Sequence, residues 1–170
     1  MTAAEQEYAD ALARAIVQSV KVDSPPGDLV RIIIRWFEGP DYLTVHALGS
    51  DEEGEVAPGD AWYPLEWRNE DREINRIDTV MEDARLARAV ESLATELGED
   101  GWSWDEQPAA LIAAGSEIRR LVEEARLPVA AHFAIGVCHF EGWGATESVP
   151  RANPQAVVAA LHGRGLAPEE

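Results

Sequence analysis

Two β-branched runs joined by a four-residue turn cluster restrict this chain more than any other feature. Leu29 to Phe37 alternates, with Val30, Ile32, Ile34 and Trp36 on one face and Arg31, Ile33 and Arg35 on the other. Glu38-Gly39-Pro40-Asp41 has turn chemistry. Tyr42 to Leu48 alternates again, Leu43, Val45 and Ala47 against Tyr42, Thr44 and His46. So short a connection predicts an antiparallel hairpin.

The flanking segments carry helical periodicity. Thr2 and Glu5 have the spacing of a capping box, and Tyr8, Leu12, Ala15, Ile16 and Val20 follow on one stripe, which predicts a helix from Ala3 to Val20. Ser24-Pro25-Pro26-Gly27-Asp28 breaks it. Gly49 to Pro64 is the longest irregular stretch. Beyond it Asn69, with Glu70, Asp71 and Glu73 behind it, suits a helix start. Ile74, Ile77, Met81, Val90, Leu93 and Leu97 then predict one long helix to Gly98, or two with a bend near Asp78 to Asp83. A further helical face runs from Leu111 to Ala125, after Trp102, Trp104, Asp105 and Pro108. Val129 to Phe140 reads as a central strand, apolar on both faces, with Trp143 to Val149 as a short return strand. Asn153-Pro154 opens a last helix that Gly163 and Gly165 stop. The expectation is one α+β domain over residues 1–170. Its sheet is antiparallel with about three to five strands, and its helices pack mainly on one face. Arg31 and Arg35 mark a polar side left open.

Charge narrows function. Fourteen Lys and Arg stand against 32 Asp and Glu, a formal charge of −18. Such a chain repels the phosphates of nucleic acid and the anionic surface of a membrane. With 46% hydrophobic residues and six Trp it is not a disordered acidic tail. The single Cys138 makes no intrachain disulfide and suits a reducing compartment. The first residues have no basic-then-apolar leader pattern, and no apolar run approaches the ~20 residues of a membrane span. A cytoplasmic protein is expected.

Catalytic signatures are weak. Cys138 and His139 are adjacent in a strand and therefore point to opposite faces; His132 shares the face of Cys138 but lies roughly 20 Å along it. A pocket near His46, His132 and Cys138, serving an enzyme or a small-molecule binder, is the alternative reading. Otherwise Cys138 is a buried small residue. One Cys and four His lack the paired spacing of a zinc site. The acids from Asp51 to Asp60 lack the spacing of an EF-hand loop. Neither a phosphate-binding glycine loop nor a nucleophile elbow is present. No cofactor or metal is expected.

What stands out is acid beside aromatic. Asp51, Glu52, Glu53 and Glu55 precede Trp62 and Trp67. Trp is enriched at binding hot spots, and the acids complement a basic protein partner. The six form the candidate partner-binding surface of a non-enzymatic binding protein. The stretch Asp60-Ala61-Trp62-Tyr63-Pro64-Leu65-Glu66-Trp67, followed by Asn69 and Arg72-Glu73, and the late strand leading through Glu141-Gly142-Trp143 resemble small bacterial α+β proteins. Some of these are immunity proteins of polymorphic-toxin systems. That resemblance implies action by binding rather than catalysis, and it carries over no catalytic residues.

Overall fold

The structure is a computed structural model that describes residues 1–64, 77–103 and 106–169. Helix α1 spans Ala3–Val22. Its first turn closes by the reciprocal box: Glu5 N–H donates to Thr2 Oγ1 at 3.1 Å and Thr2 N–H to Glu5 Oε2 at 2.6 Å. The hairpin forms as β1 (Leu29–Trp36) and β2 (Leu43–Gly49), with Ile33 opposite His46 and Trp36 opposite Leu43.

Strand β3 (Val129–His139) takes the other side of β1, in parallel, with Gly136 beside Ile33 and His139 beside Trp36. The sheet is thus three-stranded and mixed, in the order β2-β1-β3, which corrects the expectation of an antiparallel sheet. The cause is the long chain between β2 and β3, which includes α3 (Ala84–Leu97) and α4 (Ala109–Glu124). Because β2 returns to the end where β1 begins, a chain that leaves β2 and re-enters beside β1 starts β3 at that end and runs it parallel to β1.

Every residue of β1 is buried. On one face α1, α3 and α4 pack over Ile32, Ile34, Trp36, Val45, Ile135 and Val137. On the other, α5 (Ala145–Ala152), α6 (Gln155–Gly163) and Trp62 cover Ile33, Ala134 and Cys138. Helices on both faces correct the one-sided arrangement. A bulge between Leu29 and Arg31 also moves Val30 to this second face, away from Ile32 and Ile34.

Residues 145–152 form helix α5, not a return strand. Its side chains perform a strand's task on the free edge of β3. Ser148 Oγ accepts from Val137 N–H and donates to Val137 C=O, at 2.9 and 2.8 Å. Asn153 Oδ1 accepts from Ile135 N–H at 2.9 Å while its Nδ2 donates to Ile135 C=O at 2.7 Å. Arg119 donates to Phe133 C=O, and His139 N–H to Trp143 C=O. Both backbone groups of Ile135 and Val137 are thereby satisfied, which blunts this part of the edge against another strand. Asn153, expected to cap α6, is spent on this edge, and Pro154 takes the cap position.

Over the described part of this segment the helix runs only from Ala84, not unbroken from Asp78. A 3₁₀ turn covers Asp78–Glu82, and Asp83 caps α3 by accepting from Arg85 and Leu86 N–H. The helix start expected at Asn69, with Glu70, Asp71, Glu73 and Ile74, lies outside the described residues, as do Trp67, Trp104 and Asp105. Within the irregular stretch a short helix α2 (Ser50–Glu53) and a 3₁₀ turn (Pro58–Asp60) form.

Candidate functional site

The acidic segment leaves β2 through α2, whose position is set by one of its own acids. Glu53 turns inward, and His132 Nε2 lies 2.8 and 2.9 Å from its two carboxylate oxygens. Arg31 Nη2 is 3.4 Å from Oε1 and Arg164 Nη2 is 3.9 Å from Oε2. Arg31 is only 1% exposed. Its guanidinium also donates to Val30 C=O and stands 5.0 Å from the centre of the Trp62 ring. Burial lowers the Arg31 pKa to about 10, against the opposing pull of Glu53. Glu53 thus serves as counter-ion to a buried cation and ties three segments distant in sequence. Asp51 and Glu55 are exposed and Glu52 half-buried. Sequence spacing groups these four acids, but the fold separates Glu53 from the others by use.

Trp62 is 1% exposed, so its indole meets the sheet rather than solvent. A Cβ on Gly136 would come within 2.9 Å of its ring carbons, so the missing side chain at Gly136 admits the ring. Trp62 Nε1–H donates to Leu166 C=O at 2.8 Å. The residue therefore anchors the acidic segment to the second core. Its partner in the expectation, Trp67, lies outside the described residues.

The alternative set is spread along the second face. The register places Arg35 between Thr44 and Cys138, and Ile33 between His46 and Gly136. His46 Nε2 is 3.1 Å from Thr44 Oγ1, while His132 is engaged by Glu53 at the other end of β3. Trp62 sits over Gly136, between His132 and Cys138. Cys138 is 1% exposed, with Sγ directed at Trp62 C=O, and burial pushes its thiol up to about 12. That removes the thiolate a nucleophile needs at neutral pH. The three side chains do not form one constellation.

At the C-terminal ends of β1 and β3 an aromatic cluster assembles that spacing did not reveal. The His139 ring stacks on Trp143 at 4.9 Å and meets the edge of Trp36 at 4.8 Å. Trp36 also contacts Trp102 and Trp143 edge-to-face. Burial holds the His139 imidazole below its ordinary pKa, against the opposing pull of Glu141. The sequence signal was present but divided, since Trp36, Trp102, Trp143 and His139 belong to four separate segments.

Among the described residues several cations are occupied internally. Arg119 donates to Phe133 C=O and Asn153, Arg120 pairs with Glu117 and Glu124, and Arg151 pairs with Glu147. Arg14, Lys21 and Arg85 border one groove among α1, α3 and α4, on the face of the sheet that these helices cover. Ala61 and Trp62 are buried in the core on the opposite side, and Val56 packs against it. Among the described residues no group of three or more His, Cys, Asp or Glu could hold a metal ion, and no helix is long and apolar enough to cross a membrane. No protein-family model, no curated protein and no solved structure matches the chain.

Proposed function

We propose that this chain is a non-enzymatic binding protein that recognises a basic protein partner through the acidic surface around Asp51, Glu52 and Glu55. The observation that carries the reading is the division of charge. Among the described residues Arg31 and Arg35 are buried, Arg120 and Arg151 are paired with acids on their own helices, and Asp51 and Glu55 remain exposed on a chain of formal charge −18. A field of one sign over a surface accelerates encounter with the opposite sign and rejects like charge. Glu53 and Trp62 act from within, the first by holding α2 on Arg31 and His132, the second by pinning the following segment to Gly136. Within this reading the finer assignment is an immunity-type role, in which the partner is a basic toxin held by surface complementarity.

Affinity capture from the native host at low salt tests the reading. The partner recovered should carry net positive charge and be released as salt rises to about 0.5 M, where the screening length falls to about 4 Å. A neutral or acidic partner retained through that salt would overturn it.

A further inference from the structure

We infer that the cavity at the C-terminal ends of β1 and β3 is a binding site for a small, flat monocarboxylate, whose carboxylate is received by Arg35. The cavity measures about 190 Å³ and is bordered by Arg35, Trp62, Tyr63, Cys138, Phe140 and Glu141.

Arg35 is 6% exposed. Its Nη2 donates to Phe140 C=O at 2.8 Å, and its guanidinium lies 4.4 Å over the Phe140 ring. Among the described residues it has no carboxylate partner. The contrast with Arg31 is direct, because that buried arginine has Glu53. Leaving a buried guanidinium without a counter-ion costs several kcal/mol by general experience. Here the uncompensated group borders an opening, where an entering anion could supply what the protein does not. Its planar fork matches a carboxylate in two parallel hydrogen bonds better than it matches a point charge.

The other walls define the rest of the ligand. Trp62, Tyr63, Phe140 and Cys138 border the cavity beside Arg35, and an aromatic, apolar lining suits an apolar, flat body. The volume is below the ~300–1,000 Å³ of drug-sized sites, so the body is about one ring. The location agrees with the rule that ligands of open sheets with parallel strands sit beyond the strands' carboxyl ends. Arg35 and Cys138 flank each other across the parallel pair at that end. Glu141, 69% exposed, stands at the cavity border, where it disfavours a second negative charge.

Benzoate is the probe, benzamide its neutral isostere and acetate the carboxylate without a ring. Titration followed by tryptophan fluorescence and by calorimetry should show benzoate binding to the wild-type protein. Benzamide and acetate should each bind at least about tenfold more weakly, since a charge-assisted hydrogen bond or a buried ring is worth a factor of this order. Arg35→Met should weaken benzoate by roughly 10–100-fold. It should also raise the melting temperature of the free protein, because it removes an uncompensated buried charge. Arg35→Lys keeps the charge without the fork and should fall between. Wild-type protein that fails to bind benzoate at millimolar concentration, or that binds benzamide equally, overturns the proposal. So does an Arg35→Met protein that binds benzoate as tightly as wild type. If Arg35→Met fails to fold, the wild-type comparison of benzoate with benzamide decides alone.

Discussion

Replacing Asn153 with Ala should be among the most damaging single changes outside the hydrophobic core. The Asn153 carboxamide occupies the position of a missing fourth strand, bonded to both N–H and C=O of Ile135 and to Val149 C=O. Ile135 is fully buried, so water does not reach the groups freed. Each orphaned buried backbone group costs about 1–3 kcal/mol. Two of them give about 3 kcal/mol once a trapped water recovers part of the loss. With a urea dependence of about 2 kcal/mol per molar, the unfolding midpoint should fall by roughly 1.5 M. Urea titration by circular dichroism measures the shift, and amide exchange at Ile135 localises it. Asn153→Asp keeps the acceptor for Ile135 N–H and loses the donor, so it should also destabilise. A midpoint change below about 0.3 M for Asn153→Ala, with Ile135 still protected, would refute the side-chain capping of this edge.

Other changes test other parts of the account. Glu53→Ala leaves Arg31 buried without its counter-ion and should cost about 3 kcal/mol, at the low end for a broken buried pair because Glu53 is partly exposed; urea titration reads it. The Cys138 thiol, pushed up to about 12 and 1% exposed, should react with a disulfide reagent at pH 8 only at the rate of unfolding, and at once in denaturant. His139 is held below its ordinary pKa in the folded state, so below about pH 6.5 the unfolded chain binds the extra proton first. Stability should therefore fall as pH drops through that region, and His139→Gln should flatten the slope in melts from pH 7.5 to 5.

How much of this was legible in the sequence depends on the range of the interactions. The capping box at Thr2 and Glu5 and the antiparallel hairpin arise within a few residues, and spacing exposes them. The direction of β3 is set by a crossover, and its runs of apolar residues look the same in parallel or antiparallel pairing. Trp143 to Val149 alternates well enough for a strand, but Ser148 and Asn153 satisfy β3 from a helix, and no local pattern announces that. The site follows the same division. The acids were visible as a run, whereas the use of Glu53 depends on Arg31, His132 and Arg164. Trp62 was visible as an aromatic, and its burial depends on a glycine in a strand 74 residues later in the chain.

The central functional claim is that the outward acids, and not Glu53, attract a basic partner. The direct test is the association rate of the captured partner across salt for wild type and for a protein carrying Asp51→Lys, Glu52→Lys and Glu55→Lys, with Glu53 intact. Steered association runs well above the ~10⁵–10⁶ M⁻¹s⁻¹ of unsteered docking and falls steeply with ionic strength. The account predicts that the triple variant associates at least about tenfold more slowly at low salt, with a flattened salt dependence. Equal association rates for the two proteins at every salt concentration would contradict it.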